Sequence, residues 1–102
     1  MSKYGAVRTT IDGITFDSKR EAARYLELKL LAKAGIIRDL ELQPAFVFCH
    51  NGRKIFTYRA DFAYYEGDQR TVEDVKGVRT PLYKLKKKLV EANWNVTITE
   101  VT

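Results

Sequence analysis

Two strand-like segments joined by a short polar turn constrain this chain more than any other feature. The first segment ends at Tyr65, the turn is Glu66-Gly67-Asp68-Gln69, and the second segment runs from Arg70 to Lys76. A tight hairpin with a loop of two or four residues centred on this turn pairs Asp61 with Asp74. An odd-length loop would put the two aspartates out of line.

The charged side chains of this hairpin form a pattern that a plain sheet does not need. Because side chains alternate along a strand, Asp74 and Lys76 share one face and Glu73 points to the other. Facing carboxylates at Asp61 and Asp74 would repel each other across the strand pair. A divalent cation between them reverses that interaction, because hard cations bind carboxylate oxygens. Lys76 beside them can hold or activate a water or neutralise a phosphate charge. The alternative is two solvated strand ends with surface charges.

The composition of the chain narrows the class of protein. A length of 102 residues predicts a single domain, residues 1–102, with a core large enough to fold alone. A net charge of +5 favours a polyanionic partner such as nucleic acid. Cys49 is the only cysteine, which excludes an internal disulfide and a cysteine zinc cluster. Met1–Gly5 lacks an apolar signal core and no stretch could span a membrane, so we expect a cytoplasmic protein.

The N-terminal third predicts a small hairpin followed by a helix. Residues 9–16 form the hairpin, because Asp12-Gly13 is a favoured two-residue turn. Gly35 ends the helix, and residues 36–42 are a connection. Ser18 with Glu21 three residues later matches a capping box, so Glu21 serves either as a cap or as a functional carboxylate. The helix buries an apolar stripe of Ala22, Ala23, Leu26, Leu30 and Ala34.

The middle of the chain predicts two further strand segments. Residues 43–50 form a strand, Asn51-Gly52 turns the chain, and the return strand runs from Arg53 to Tyr65. This register puts Gln43 on the face away from Asp61, which gives Gln43 low weight as a site residue. His50 abuts the turn and is interpreted as a solvated residue. One face of the return strand carries Phe56, Tyr58, Ala60, Phe62 and Tyr64, with Asp61 on the other.

The C-terminal part predicts a second helix and a last strand. Thr80 caps the helix and Pro81 takes its first position. Its buried stripe consists of Leu82, Leu85, Leu89 and Ala92, and its other faces carry Lys84, Lys86, Lys87 and Lys88. These lysines form either a solvated face or an anion-binding surface. Residues 94–101 form the strand, parallel to its neighbour. The fold class is therefore α/β (α+β), order α-β-β-β-α-β, with a mixed central sheet flanked by helices behind the hairpin.

This order, with an aspartate on the second strand and Asp-x-Lys on the third, resembles the PD-(D/E)xK, or restriction-endonuclease-like, nuclease superfamily. The spacing of the two aspartates and the helix glutamate resemble archaeal-type Holliday-junction resolvases. Nearly the whole chain resembles a family of small phage-encoded proteins labelled as a domain of unknown function, DUF1064. The stretches that carry this resemblance are Phe16–Ala22, Gln43-Pro44, Tyr58–Phe62, Glu73–Gly77 and Thr80.

The resemblance implies an endonuclease that uses Mg²⁺, with Mn²⁺ able to substitute. It implies that Asp61 and Asp74 ligate the metal, with Glu21 and the Val75 carbonyl as further ligands, and that Lys76 orients or deprotonates the attacking water. Two departures stand out, since Ala60 replaces the proline of the superfamily name and Asp74 replaces the commoner glutamate. Whether Glu73 substitutes for Asp74 stays open here, although strand alternation argues against it.

The expected substrate is DNA, held by charge rather than by base reading. The candidate phosphate-binding residues are Arg79, Thr80, Lys84, Lys86, Lys87 and Lys88. Without a recognition helix or zinc finger in the sequence, we expect selection by DNA shape, such as branches or nicks. Junction cleavage needs two sites, which is compatible with a homodimer. The alternatives are a non-catalytic DNA-binding or replication-accessory module on a nuclease fold, and a small RNA-binding or regulatory domain.

Overall fold

The computed structural model describes residues 7–102, so the Met1–Gly5 segment discussed above lies outside the described residues. It is a mixed α+β structure with two helices and a mixed central sheet. Neither helix is long and apolar enough to cross a membrane. The elements are β1 (Thr9–Ile11), β2 (Ile14–Phe16), α1 (Lys19–Lys33), β3 (Arg38–Leu42), β4 (Ala45–His50), β5 (Arg53–Arg59), β6 (Phe62–Glu66), β7 (Gln69–Val75), α2 (Pro81–Trp94) and β8 (Ile98–Val101).

The central sheet has the strand order β3-β6-β7-β8. β3, β6 and β7 pair antiparallel, and β8 pairs with β7 in parallel, as the helix between them predicted. Two separate two-stranded hairpins, β1–β2 and β4–β5, lie outside this sheet. The predicted connection over residues 36–42 is therefore wrong, because β3 forms an edge of the central sheet there.

The two-residue turns predicted at Asp12-Gly13 and Asn51-Gly52 are confirmed, and the loop predicted with two or four residues at Gly67-Asp68 has two. Glu66 pairs with Gln69, so Gly67 and Asp68 form the loop between β6 and β7. Phe62 pairs with Glu73 in the register that the sequence predicted. At the Asn51-Gly52 turn both residues have positive φ, at 51° and 77°, as a primed turn requires.

The predicted continuous strand from Arg53 to Tyr65 is wrong, because it breaks at Ala60 and Asp61. β5 ends at Arg59 and, among the strands of residues 7–102, pairs only with β4, whereas β6 begins at Phe62 in the central sheet. The amide of Ala60 donates to Pro44 O at 3.1 Å, and the amide of Asp61 donates to Glu73 O at 3.0 Å. The chain thus changes its hydrogen-bonding partner between two consecutive residues.

This break also overturns the predicted single apolar face of the return strand. Tyr58 and Ala60 pack in one core cluster with Val90. Phe62 and Tyr64 pack in a second cluster with Tyr25 of α1. Alternation along β6 sends Phe62 and Ala63 into different clusters, so α1 and α2 cover opposite faces of the sheet.

Helix α1 begins as predicted, with Ser18 as its N-cap accepting a hydrogen bond from the Glu21 amide at 3.1 Å. Its predicted buried stripe is wrong apart from Ala22. Leu26 and Leu30 are 46% and 68% exposed, and Ala23 and Ala34 are exposed as well. Leucines and alanines occur on two sides of this helix, and the side that meets the sheet is the one that carries Glu21, Ala22, Tyr25 and Leu28.

Helix α2 also begins as predicted, with Thr80 accepting from the Tyr83 amide at 3.1 Å and Pro81 in the first turn. The predicted stripe is wrong here too, because Leu82 and Leu85 are 58% and 53% exposed. Val90 is the buried residue of the helix. Trp94, predicted to open the last strand, ends the helix and packs edge-on against Phe46, with ring centroids 5.6 Å apart.

Candidate functional site

Asp61 lies at the break between the β4–β5 hairpin and the central sheet, and its side chain binds to β7. Its Oδ2 accepts a hydrogen bond from the Val75 amide at 2.7 Å. Val75 stands between Asp74 and Lys76, so the Asp61 carboxylate contacts the backbone of β7 between these two residues. Asp61 lies within the break after β5, and this position brings its carboxylate against the end of β7.

Asp74, in β7, and Lys76, which directly follows this strand, contact one pair of tyrosines, in agreement with the predicted shared face. The Tyr58 hydroxyl donates to Asp74 Oδ2, and Asp74 is buried. Lys76 Nζ lies 4.6 Å from the centre of the Tyr83 ring. The rings of Tyr58 and Tyr83 stack with centroids 6.3 Å apart, which joins the two contacts into one group.

Tyr83 connects this group to the last strand. Its hydroxyl donates to Glu100 Oε2 at 2.8 Å. Burial raises the pKa of Tyr83 far above its ordinary value, and the hydrogen bond to Glu100 and the Asp74 charge raise that pKa further. The phenol therefore stays protonated and neutral at physiological pH. Sequence reasoning missed both tyrosines, although Tyr58 belongs to the stretch around Asp61 that carries the resemblance.

A cavity of about 310 Å³ brings three candidate residues together. Glu21, Gln43 and Asp61 line it, with apolar walls from Ile14, Phe16 and Leu42. The predicted position of Gln43 away from Asp61 is wrong, because Gln43 precedes β4 with a φ of 51°. The backbone amide of Gln43 donates to the backbone oxygen of Asp61 at 3.0 Å. This irregular backbone turns Gln43 towards the site.

The oxygen atoms that line this cavity are suitable ligands for a hard cation. The two carboxylates of Glu21 and Asp61 and the amide oxygen of Gln43 are oxygen ligands, and Mg²⁺ binds proteins through one or two carboxylates plus substrate phosphates. Within residues 7–102, no three His, Cys, Asp or Glu side chains form a group that could hold a metal ion by themselves. A bound cation would therefore depend on the substrate or on Gln43 to complete its coordination.

Glu73 has a separate role on the α1 face of the sheet. Arg24 binds it with two hydrogen bonds, of 2.8 and 2.6 Å, and the Tyr64 hydroxyl donates to it at 2.5 Å. Burial of Glu73 opposes its ionisation, but the hydrogen bonds from Arg24 and Tyr64 outweigh burial and leave its pKa lowered. Glu73 is thus a buried ion-pair partner. Its location agrees with strand alternation and argues against its replacing Asp74.

The lysines of α2 are not equivalent. Lys86 Nζ lies 5.4 Å from the centre of the Phe56 ring, and Lys87 Nζ lies 3.7 Å from Glu100 Oε2. Lys84 and Lys88 are exposed. A second cavity of about 260 Å³ is lined by Arg79, Lys84, Lys87, Lys88, Glu91 and Glu100. Cations therefore dominate this cavity, while Thr80 uses its hydroxyl as the helix cap.

Comparison with known proteins identifies the family. The sequence profile described as "Protein of unknown function (DUF1064)" matches residues 1–101. The chain belongs to the DUF1064 family. No curated protein and no solved structure matches the chain. The function of this DUF1064 protein therefore has to be argued from its own residues.

The contact between Tyr58 and Asp74 predicts a stability effect in this DUF1064 protein. Tyr58→Phe removes the hydroxyl and its hydrogen bond to a buried carboxylate while it keeps the ring stacked on Tyr83. We expect a loss of about 1.5–3 kcal/mol in unfolding free energy, the range for hydrogen bonds to charged groups. Urea unfolding measures it, and Tyr65→Phe on β6 is the control. Equal stability of wild type and Tyr58→Phe would contradict the contact.

Proposed function

We propose that this DUF1064 protein is a metal-dependent endonuclease of the PD-(D/E)xK superfamily that hydrolyses phosphodiester bonds in branched or nicked DNA. Phage DNA recombination, replication or processing inside the host cell is the setting that this activity suggests. The observation that supports the proposal most is the hydrogen bond from the Val75 amide to Asp61. It ties the Asp61 carboxylate to the backbone between Asp74, a carboxylate, and Lys76, an amine.

The proposed cofactor is Mg²⁺, with Mn²⁺ as a substitute. When bound, it would polarise the phosphoryl oxygen, lower the pKa of bound water and neutralise charge on the leaving oxygen. Asp61, Asp74 and Glu21 are the proposed ligands, with the Val75 carbonyl as a backbone ligand. Because these carboxylates do not form a metal-binding group by themselves within residues 7–102, the set would come together when the metal and DNA bind. Glu21 and Asp61 share one cavity, and the Val75 amide fixes the orientation of the Asp61 carboxylate.

Lys76 is the proposed residue for the attacking water. Its ammonium group, half-buried over the Tyr83 ring, orients the water and offsets the charge that develops on the phosphate. The water oxygen attacks phosphorus and releases a proton to solvent, while the bond from phosphorus to the leaving oxygen breaks and that oxygen takes up a proton from solvent. Asp74 and Lys76 both contact the stacked pair of Tyr58 and Tyr83, so the proposed metal ligand and the Lys76 ammonium group would act on one substrate phosphate.

The proposed DNA contacts lie on α2 and on the residues before it. Exposed Lys84 and Lys88 offer cations to backbone phosphates, which supply much of the affinity of DNA-binding proteins. Arg79, whose Nε donates to Glu100 at 2.7 Å, lines the same cavity as these lysines. Such contacts carry no base information. Selection by the shape of branched DNA is therefore the proposed basis of specificity, and a homodimer would supply the two sites that junction cleavage needs.

The direct test is cleavage of labelled Holliday junction, flap, single-stranded and duplex DNA with Mg²⁺, with Mn²⁺ and with chelator. We expect cutting of branched DNA that requires metal and is lost in Lys76→Ala. Lys54→Ala is the matched control, because Lys54 is exposed on the β4–β5 hairpin. Metal-independent cutting, or equal activity of the two lysine variants, would refute the proposed site.

A second candidate function is a non-catalytic DNA-binding or replication-accessory module. The observation that favours it is the lack, within residues 7–102, of a three-residue group of His, Cys, Asp or Glu able to hold a metal ion. In that case Mg²⁺ would leave the melting temperature unchanged. Junction DNA would still bind and would not be cut under any metal condition.

The lysines of α2 predict the salt dependence of DNA binding. Each phosphate contact adds about 0.9 to the slope of log affinity against log salt on duplex DNA. Changing exposed Lys84 and Lys88 together to alanine should flatten that slope by about one to two units. Fluorescence anisotropy across a salt series measures it. Lys33→Ala with Lys54→Ala, two exposed lysines elsewhere, is the control pair; equal slopes for the two pairs would show that α2 is merely solvated.

Substitution of Glu21 distinguishes a role in capping helix α1 from a role in metal binding. Glu21→Gln keeps the length of the side chain, and glutamine also serves in a capping box. We expect cleavage to fall at least about ten-fold, a loss that even an outer-shell change to a metal site can cause, while the melting temperature changes little. Ser18→Ala should do the opposite, costing about 1 kcal/mol of stability through loss of the N-cap. Full activity of Glu21→Gln would remove Glu21 from the site.

A further inference from the structure

Helix α2 presents an apolar row that the described fold leaves exposed except at Leu89, which is half-buried. The row consists of Leu82, Leu85, Leu89 and Ala92, spaced three, four and three residues apart, and is called the α2 seam below. Leu82 and Leu85 are 58% and 53% exposed. The helix packs on the rest of the protein with another side, through Tyr83, Val90 and Trp94. The seam is thus the outer side of a helix that is already anchored.

The spacing of the seam is that of a helix-docking surface. Residues three and four apart stand above one another on a helix, so the seam forms one continuous stripe. The same 3-4-3 spacing occurs at the contact positions of paired helices. Val78, just before the helix, is 53% exposed and is a further apolar residue at this end. Single exposed apolar residues scattered over a surface are ordinary, whereas the residues of the seam are grouped in one stripe.

Positive charge borders the seam on both sides. Lys86 lies four residues after Leu82 and three before Leu89, which places it along one border. Lys88 lies three residues after Leu85 and four before Ala92, along the other border. The one acidic residue of the helix, Glu91, is directed towards β8, since its Oε2 accepts from the Ile98 amide at 2.9 Å. The seam is therefore an apolar stripe with one lysine along each border, of which Lys88 is exposed and Lys86 is half-buried beside the Phe56 ring.

These charges and the size of the seam decide between a second copy and a different partner. Two seams packed together would bring the Lys86 and Lys88 side chains of both copies to one interface, where like charges repel. The helix has 14 residues, which corresponds to a length of about 21 Å and a seam on the order of 200 Å². Specific stable complexes bury roughly 800 Å² per partner. A seam-to-seam dimer is disfavoured on both grounds.

We propose that the α2 seam docks an amphipathic helix of another protein whose apolar face is bordered by Asp and Glu. Acidic borders complement Lys86 and Lys88, while the apolar faces exclude water from the contact. The small area suits a transient partner whose encounter is accelerated by charge. This proposal does not depend on nuclease activity, although DNA bound at Lys88 would compete with the partner.

The test uses a helical peptide of about 15 residues with leucines at heptad positions a and d and glutamates at e and g. Its binding to the full chain is measured by fluorescence anisotropy. We expect binding by wild type and a loss of at least about ten-fold in Leu82→Ser with Leu85→Ser, because two exposed apolar contacts are removed. The matched control is Leu26→Ser with Leu30→Ser, two exposed leucines of α1, which should bind as wild type.

Charge provides the second arm of the experiment. Lys86→Glu with Lys88→Glu should prefer a peptide carrying lysine at e and g, a reversal that only a charge-bordered docking surface produces. Failure of wild type to bind the acidic peptide, or equal weakening by the α1 variant, would overturn the proposal. Seam-dependent dimers in light scattering, or seam-dependent binding to phosphatidylglycerol vesicles, would overturn it in favour of a second copy or a membrane surface.

Discussion

Asp74→Asn is expected to reduce cleavage of branched DNA by more than about 100-fold. Outer-shell partners of a metal are typically worth 10–100-fold, so a proposed direct ligand should exceed that range. Asparagine keeps an oxygen that can accept the hydrogen bond from Tyr58, so the change removes charge while it preserves the local contact. Single-turnover cleavage with excess protein measures the effect on the chemical step.

Thermal melting across an Mg²⁺ titration separates loss of metal binding from loss of structure. A ligand that binds only the native state raises stability by about 2.7 kcal/mol at one hundred times its dissociation constant. Wild type should therefore melt at a higher temperature with Mg²⁺, and Asp74→Asn should shift far less. Asp68→Asn, in the exposed turn of the same hairpin, is the control and should behave as wild type. Normal cleavage by Asp74→Asn, or a wild-type melting temperature that does not change with Mg²⁺ or Mn²⁺, would favour the non-catalytic function.

Local chemistry explains the parts of the fold that the sequence predicted. The Asn51-Gly52 turn and the loop at Gly67-Asp68 need positive φ, which few residues tolerate, so these turns and their register are readable from short segments. The caps at Ser18 and Thr80 also depend on contacts within three residues. The shared face of Asp74 and Lys76 follows from the same local alternation.

The parts that the sequence did not predict depend on distant contacts. The break at Ala60 exists because Pro44 and Glu73, far apart in sequence, accept successive amides. Gln43 reaches the Asp61 cavity through the irregular backbone beside that break. No periodicity signals this change of partner, because residues 53–65 alternate as one long strand would.

The helix faces were mispredicted for a related reason. Leu26 and Leu30 of α1, and Leu82 and Leu85 of α2, satisfy helical spacing and yet face outward. The inner face of α1 carries Glu21 and contacts Glu73 through Arg24, so its polarity hid it from an apolar pattern. Amphipathic analysis locates a stripe of leucines, but it does not reveal whether the sheet or a partner covers that stripe.

The ion pair between Arg24 and Glu73 predicts the largest stability effect in the molecule. Glu73 is 2% exposed and the Arg24 side chain 21%. Arg24→Ala leaves the buried Glu73 charge without its ion-pair partner and the two hydrogen bonds from it, which should cost about 3–5 kcal/mol in unfolding free energy. Urea unfolding measures this loss. Glu27→Ala, which removes the other, exposed partner of Arg24, is the control and should cost at most about 1 kcal/mol.

Replacing both partners distinguishes a stabilising pair from a pair that is merely costly to break. Arg24→Met with Glu73→Leu should recover most of the loss caused by Arg24→Ala, since apolar replacement of a buried pair is often neutral or better. Glu73→Gln alone should be destabilising, because Arg24 would lose its charged partner. The buried ion pair would be contradicted if Glu73→Gln were as stable as wild type while Arg24→Met with Glu73→Leu were as unstable as Arg24→Ala.

The same pair makes stability depend on pH in a definite direction. Burial opposes ionisation of Glu73, yet the hydrogen bonds from Arg24 and Tyr64 lower its pKa below the ordinary 4.5. The unfolded chain therefore takes up a proton at a higher pH than the folded chain. The contribution is fully present above the unfolded glutamate pKa, and it is lost as pH falls through the lowered pKa of the folded state. The unfolding free energy of wild type, relative to that of the double variant Arg24→Met with Glu73→Leu, should accordingly decrease as the pH falls from about 7 to about 3. A difference in unfolding free energy that stays constant over this range would show that Glu73 does not titrate with a lowered pKa.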